Sequence, residues 1–337
     1  MKKQLGNIIK FIISLGIGIG LVYWSMRGIT PEHKQMIADS FKRANYSWVV
    51  LLIFFGLLSN FFRTERWRIL LKPLGYTPNY WNTFSAVMIM FFANLLFPRL
   101  GEVMRCTILY KYENVPVEKS IGTMVLERII DLVCILILGG IILLLEYQRF
   151  YQFFADMFAK VNFVKLGIIA VVVIAIGGIV FFFLNKKKKI HDEIVREENI
   201  ILTKLKGLWQ GIISIKDIDR KREFIFHTIA IWICYILMPY FGFKCLTETA
   251  HLGWSAAMAS VFFGGFAMVA TQGGIGAFQI VTQKVLETYG IAPVIGFSYG
   301  WISWTVQTVF VLAGGILSLI FLALFNKEEK QTEANEQ

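Results

Sequence analysis

The stretch TYGIAPVIGFSYGWISWTVQTVFVLAGGILSLIFLALFN, residues 288–326, carries no Asp, Glu, Lys or Arg among its 39 residues. A second stretch, residues 252–283, is free of those charges over 32 residues. A helix needs about 20 mostly apolar residues to cross the hydrocarbon core of a bilayer. Both stretches exceed that length. The stretch 288–326 begins with a loop around Gly290 and Pro293, and the stretch 252–283 is interrupted by a glycine cluster, so the sequence predicts an all-α membrane protein in which the chain turns back within at least one of them.

The composition of the whole chain agrees with this class. Hydrophobic residues make up 56% of the 337 residues, charged residues 17%, and the mean hydropathy is +0.60. A soluble domain carries about 25% charged residues. The net charge is +11, but the Lys and Arg residues lie mostly in loops beside apolar runs, so the positive-inside rule explains them better than a nucleic-acid partner does. The four cysteines are scattered, without a CxxC pair, and indicate neither a disulfide framework nor a metal site.

The distribution of Lys and Arg predicts the orientation of the chain. The basic segments 1–10, 63–72 and 186–222 should be cytoplasmic, as should both termini. We predict one membrane domain, residues 1–326, in the cell membrane (an inner membrane where there are two), followed by a short cytoplasmic tail, residues 327–337. About six spans are predicted, at residues 11–26, 46–62, 121–145, 166–184, 224–243 and, at the end, within 288–326.

Counting the membrane crossings that these loop charges allow predicts two re-entrant helical hairpins. A full crossing by residues 80–97 would place the lysine run 186–189 outside, so this segment should turn near Pro98 and return to its own face. Residues 252–283 should likewise begin and end on the outer face. Broken helices at membrane depth occur where they are buried in protein or line a wet cavity. The two hairpins are therefore expected to enter from opposite faces and to form a site where they meet.

Six ionisable residues lie in or beside these apolar segments, three of each sign. An Arg or Asp at the centre of a spanning helix costs about 2.5–3.5 kcal/mol, so we predict that all six face the protein interior and pair. If the segment after Pro98 is helical, its three charges share one broad face, and the two carboxylates spaced i, i+4 share another. The six residues are Arg99, Glu102, Arg105, Glu127, Arg128 and Asp131.

Two interpretations of this cluster stand side by side. The planar guanidinium of arginine can bind a phosphate with two hydrogen bonds, which would make the cluster a substrate pocket. It can equally be a structural ion-pair lock that holds a hairpin against a span. Nearby, Asn94 is a candidate cavity residue, with an ordinary helix–helix hydrogen bond as the alternative. The basic residues Arg63, Arg66 and Arg68 are expected to anchor the membrane interface.

The glycine cluster of the second uncharged stretch is the other candidate. Glycine permits the positive φ angles of a tight turn, so we predict the tip of the second hairpin here. Close packing of helices is the alternative. The candidate residues are Gly273, Gly274 and Gly276.

Three motifs together resemble the flippase-like transmembrane region of the lysylphosphatidylglycerol synthases. They are N-x-x-x-P-R-x-G-E-x-x-R at residues 94–105, E-R-x-x-D at 127–131 and G-G-I-G at 273–276, and the resemblance extends from about Gly6 to Phe325. The full synthases carry a soluble aminoacyl-transferase domain after this region, so lysyl transfer is not part of what the resemblance implies here. The prolines before the family's glycine block and the glutamate after it correspond to Thr271 or Gln272 and to Gln279.

The resemblance implies a protein that moves aminoacylated or other phospholipids between leaflets, and relatives are also linked to lipid-carried glycans. We therefore expect flippase-like or scramblase-like movement of a phospholipid or lipid-linked anion through a polar intramembrane cavity, with membrane lipids as partners and without a cofactor or metal. The sequence has no Walker, HExxH or GxSxG motif, which favours a non-enzymatic role. Two alternatives stay open: an intramembrane transferase that uses Glu127 or Asp131, and a scaffold for envelope-synthesis enzymes. An oligomer is compatible with each.

Overall fold

The computed structural model describes residue 23 and residues 31–97, 99–151 and 200–335. These ranges contain helices and turns but no β-strand, which confirms the predicted all-α class. The helices are α1 (Pro31–Arg43), α2 (Ser47–Leu71), α3 (Tyr80–Leu96), α4 (Leu100–Glu113), α5 (Val117–Leu145), α6 (Ile200–Ile213), α7 (Lys221–Gly242), α8 (Trp254–Ala270), α9 (Ala277–Thr288) and α10 (Pro293–Asn335).

Four helical segments of the described chain are long and apolar enough to cross a membrane. They coincide with four of the predicted spans, and the protein is a multi-pass membrane protein. The predicted spans 11–26 and 166–184 lie, apart from Tyr23, outside the described residues. The four segments are Ser47–Leu74, Val117–Leu145, Lys221–Cys245 and Pro293–Asn326.

The helices define two ends of the bundle, which we name by one residue each. At the Asn82 end, the amide of Asn82 donates to Glu113 (2.6 Å) and to Asn326 (3.0 Å), so the start of α3 meets the last turn of α4 and the C-terminal third of α10. At the Tyr289 end, the ring of Phe150 lies 6.0 Å from the ring of Tyr289. Leu252, just before α8, shares a buried apolar cluster there with Leu286 of α9, and Tyr289 packs against that cluster.

Two pairs of short helices therefore begin and end at opposite ends of the bundle. Helix α3 leaves the Asn82 end and α4 returns to it, while α8 leaves the Tyr289 end and α9 returns to it. Helices α3 and α8 have 17 residues each, or about 26 Å at 1.5 Å per residue. That is shorter than the hydrocarbon core of about 30 Å. The turn at residues 271–276 lies inside the stretch where the second tip was predicted.

Helix α10 packs against both short-helix pairs, and glycines allow the close approach. A Cβ atom on Gly300 would lie 3.0 Å from the Cα atom of Gln279 on α9, and one on Gly315 would collide with the side chain of Phe92 on α3. Because neither glycine carries a side chain, the backbones of α9 and α3 lie directly on α10. This helix thereby fixes the position of one pair relative to the other.

Two local predictions were wrong. The second span was expected to end at Phe62, but α2 continues to Leu71 because Trp67, Leu70 and Leu71 are fully buried and extend its apolar face past the arginines. Arg99 was expected to share a helical face with Glu102 and Arg105. It instead precedes α4 in a left-handed conformation, with φ of 61°, so only Glu102 and Arg105 lie on the helix.

Candidate functional site: buried ion pairs beside an uncharged cavity

Three helices bring five charged side chains together in the interior. Arg63 and Arg66 come from α2, Arg105 from α4, and Glu127 and Asp131 from α5. The side chains of Arg66, Arg105 and Glu127 have no exposed surface. The i, i+3 spacing of the two α2 arginines and the i, i+4 spacing of the two α5 carboxylates put each set on one face of its helix. We call these five residues the ion cluster.

Each carboxylate of the ion cluster is shared between two arginines. Glu127 pairs with Arg105 through one oxygen and with Arg66 through the other, at 3.4 Å. Asp131 pairs with Arg66 at 2.9 Å and with Arg63 at 3.5 Å. Arg66 is therefore the central residue, with one guanidinium nitrogen on each carboxylate. The cluster thereby adds paired charges to the apolar contacts that already join α2 to α4 and to α5.

Trp67 supports the cluster from the adjoining face of α2. The guanidinium carbon of Arg105 lies 3.6 Å from the centroid of the Trp67 ring, and the indole N–H donates to the hydroxyl of Thr123 on α5 at 3.0 Å. An arginine stacked on an indole gains a cation–π attraction, of about 2 kcal/mol where water is excluded. Trp67 thus fixes the orientation of the Arg105 guanidinium while linking α2 to α5.

The ion cluster carries more positive than negative charge. It holds three arginines and two carboxylates. Two of its guanidinium groups also hydrogen-bond outside it: Arg63 donates to the hydroxyl of Tyr235 at 2.6 Å, and Arg105 donates to the sulfur of Met90 at 3.7 Å. Glu102 lies one turn before Arg105 on α4, but its Oε2 atom is buried without a hydrogen-bond partner in the described part of the chain. Arg63 is therefore the arginine of the cluster that donates to a neutral oxygen.

A cavity of about 230 Å³ lies next to Arg63. Its walls come from α2, α3, α7, α8, α9 and α10, so both short-helix pairs contribute to it. Tyr235, the hydrogen-bond partner of Arg63, lines the cavity, and so does Phe91, whose ring centroid lies 5.7 Å from the Arg63 guanidinium carbon. Two wall residues therefore separate the cavity from the ion cluster at this point.

The tips of the two short-helix pairs touch each other. The amide of Gln272 donates to the backbone oxygens of Asn94 (2.8 Å) and Leu95 (2.9 Å), which end α3. The side-chain oxygen of Asn94 accepts from the N–H of Gly101 at 2.8 Å, which closes the first tip. Unpaired carbonyl groups at a helix end need partners, and Gln272 supplies one from the opposite tip.

Positive φ angles form the turn of the second tip. Gly273, Gly274 and Gly276 have φ of 58°, 74° and 77°, angles that an L residue with a side chain rarely adopts. The indole N–H of Trp304 on α10 donates to the carbonyl oxygen of Gly273 at 2.7 Å. The second tip is thereby held between α10 and the first tip.

The structure divides the residues predicted from sequence into three groups. Arg105, Glu127 and Asp131 are paired in the ion cluster, and Asn94 and the three glycines form the two tips. Arg99 and Arg128 are exposed, and Glu102 is half-buried without an ion-pair partner among the described residues, so the expectation that all six charges turn inward and pair holds only in part. Pro98 lies outside the described residues.

Sequence reasoning missed Arg63 and Arg66, which were expected at the interface. Their side chains are 4% and 0% exposed. The signal was present in the sequence: Trp67, Leu70 and Leu71 continue the apolar face beyond the arginines, and two carboxylates in an adjacent span require buried partners. In the described part of the chain, no three His, Cys, Asp or Glu side chains are grouped as metal ligands.

Comparison with known proteins agrees with this architecture. The family model described as the lysylphosphatidylglycerol synthase TM region matches residues 11–315. The chain belongs to this family. It is also 32% identical over 90 residues to a UPF0104 membrane protein of Methanocaldococcus jannaschii. That match covers 26% of this chain and 27% of the relative's length, so the chain spans about a quarter of the relative that it matches. No solved structure matches the chain.

The family match supports a role for this membrane protein in lipid-related processes. The match covers every element that builds the ion cluster, the cavity and the two tips, up to residue 315 in α10.

Proposed function

We propose that this protein moves a phospholipid or a lipid-linked anion across the bilayer, with the headgroup passing through the cavity between the two short-helix pairs. The observation that carries the proposal is the position of the cavity, which takes walls from both pairs and adjoins a buried cluster with three arginines and two carboxylates. In transporters, substrate sites form where broken helices of two repeats meet near the membrane midplane.

The size and walls of the cavity fit a headgroup better than a whole lipid. Its volume of about 230 Å³ is below the range of about 300–1,000 Å³ typical of drug-sized ligand pockets. Acyl chains would stay in the surrounding bilayer. We propose accordingly that the two short-helix pairs are re-entrant hairpins with their tips inside the membrane.

The ion cluster gives this pathway a fixed electrostatic wall. Removing one member of a buried ion pair costs about 3–5 kcal/mol, because it leaves an uncompensated charge. A cluster that shares its carboxylates among three arginines keeps its geometry when the headgroup leaves. It therefore acts both as a lock between helices and as a source of positive potential beside the cavity, which unites the two interpretations drawn from the sequence.

Reconstitution into liposomes tests the proposal. The wild-type protein should move headgroup-labelled phospholipids across the bilayer faster than empty liposomes do. Ser260→Phe, which fills the cavity wall, should lower this rate, whereas Val269→Phe on the same helix should leave it unchanged because Val269 is 79% exposed. A wild-type rate equal to that of empty liposomes across anionic and zwitterionic lipids would contradict the proposal.

A further inference from the structure

The polar groups that line the cavity are all uncharged. They include the hydroxyls of Ser59, Tyr235 and Ser260 and the amides of Asn60 and Gln307, and the lining described for this cavity contains no Asp, Glu, Lys or Arg. The hydroxyl oxygen of Ser260 is buried and has no hydrogen-bond partner in the described structure. A buried polar group without a partner costs free energy, so this hydroxyl is available to a hydroxyl-bearing ligand.

Two residues of this lining contact a positively charged side chain. Arg63 lies one helical turn beyond Ser59 and Asn60 on α2 and contacts two wall residues, Tyr235 and Phe91. The carboxylates that face Arg63 are already shared with other arginines. A ligand in the cavity would therefore meet a net positive potential and no free carboxylate.

We propose that the cavity selects a phosphodiester lipid whose polar end is uncharged and bears hydroxyls, such as a glycerol or a sugar, and that it discriminates against headgroups with an ammonium group. This inference rests on the proposed function and names its substrate class. An ammonium would be desolvated beside an arginine without a carboxylate to pair with, which is the repulsive element that selectivity requires. The hydroxyls of a glycerol can instead pair with the neutral lining.

In this arrangement the phosphate binds Arg63 in place of its present partner, Tyr235. Its hydroxyl accepts a hydrogen bond from Arg63 at 2.6 Å, but it is neutral, and a phosphate oxygen is the stronger acceptor for a guanidinium. The phosphate replaces the Tyr235 hydroxyl on Arg63 while the uncharged end of the headgroup occupies the cavity. Arg63 keeps its contact with Asp131 at 3.5 Å throughout.

The experiment compares two lipids in the same liposomes. Phosphatidylglycerol at the outer surface is measured by periodate cleavage of its diol, and lysylphosphatidylglycerol by amine labelling with an impermeant reagent. The wild-type protein should move phosphatidylglycerol about tenfold faster than lysylphosphatidylglycerol, or more, as expected for one uncompensated charge near the site. Mass spectrometry of lipids retained by the detergent-purified protein gives the same ratio without any transport.

A matched pair of variants isolates charge from size. Ser260→Asp puts a carboxylate into the lining and should shift both ratios towards lysylphosphatidylglycerol, whereas Ser260→Asn, of nearly the same shape, should not. Equal movement and equal retention of the two lipids by wild type, or a preference for lysylphosphatidylglycerol, would overturn this inference and leave transport intact. If neither lipid moves, the proposed function fails. The ratio of the two lipids retained by the purified wild-type protein still tests the selectivity, and that measurement does not depend on whether Ser260→Asp folds.

Discussion

At the scale of single residues, the ion cluster shows how the protein keeps charge inside an apolar bundle. Arg66 bridges both carboxylates, and Arg105 combines an ion pair with stacking on Trp67. Each guanidinium thus has several partners, as a buried charge requires. The Nε atoms of Arg63, Arg66 and Arg105 nevertheless have no hydrogen-bond partner in the described structure, so the terminal nitrogens carry the pairing.

Glu127→Gln should destabilise the protein strongly. The change leaves Arg66 and Arg105 without their shared carboxylate, and the expected loss is about 3–5 kcal/mol. Thermal unfolding of the purified protein in detergent measures it. Glu102→Gln is the matched control, because Glu102 forms no ion pair with the described residues; equal losses in the two variants would refute the central place of Glu127.

Trp67→Leu should cost more stability than Thr123→Val. The first change removes the stacking on Arg105, the hydrogen bond to Thr123 and the buried volume of the indole. The second removes that hydrogen bond and the one that Thr123 donates to the carbonyl oxygen of Ser120, each worth about 1 kcal/mol. The same unfolding measurement ranks the two. If Thr123→Val proved the more damaging, the stacking would contribute nothing and the indole would act only as a donor.

At the scale of helices, α10 organises the bundle by letting other backbones come close. Its glycines at 300 and 315 lie against α9 and α3, and its Trp304 holds the turn at Gly273. One helix therefore contacts both short-helix pairs at different heights. The residues of α10 at these contacts are glycines, and small residues are the usual means by which helices approach closely in membranes.

Gly315→Ala should destabilise the packing of α10 on α3. A Cβ atom there collides with Phe92, and overpacking of this kind costs about 1–3 kcal/mol. Gly140→Ala on α5 provides the control, since nothing lies within 4 Å of a Cβ atom at that position. Comparison of their unfolding temperatures tests the contact, and a Gly315→Ala protein as stable as Gly140→Ala would disprove it.

Gln272→Glu should loosen the contact between the two tips. The substitution replaces an N–H donor with a carboxylate that faces the backbone oxygens of Asn94 and Leu95. Hydrogen exchange followed by mass spectrometry should show faster exchange in residues 94–101. Gln210→Glu makes the same change at an exposed position of α6 and should leave that peptide unaffected; identical exchange in both variants would mean that Gln272 does not hold the tips together.

At the scale of the whole molecule, charge counting predicted the alternation of long and short helices, because apolar length and loop charge are visible in sequence. The partners of the buried charges were not visible. Arg63 and Arg66 look like interface residues when read alone, and only the packing of α2 on α5 shows that Glu127 and Asp131 face them. The contact of Gln272 with α3 joins residues 177 and 178 positions apart, which local periodicity cannot reveal.

The orientation of the bundle is a further prediction. The turn of Lys72–Leu74 packs near that of Ser214–Asp217, and the basic character of this end favours the cytoplasm. In intact cells an impermeant thiol reagent should label Glu248→Cys and not Lys216→Cys, both exposed positions. Labelling of Lys216→Cys alone would invert the orientation, and two variants at these positions labelled equally would contradict the spanning arrangement.

The hydrogen bonds of Gln272 also bear on how tightly the membrane stays sealed. The end of a helix presents carbonyl oxygens with partial negative charge, which attract cations. Both N–H groups of this one amide are used on two such oxygens at the middle of the molecule. We expect a bilayer that contains the protein to hold a proton gradient, because these two helix-end oxygens are already bonded and do not attract small cations.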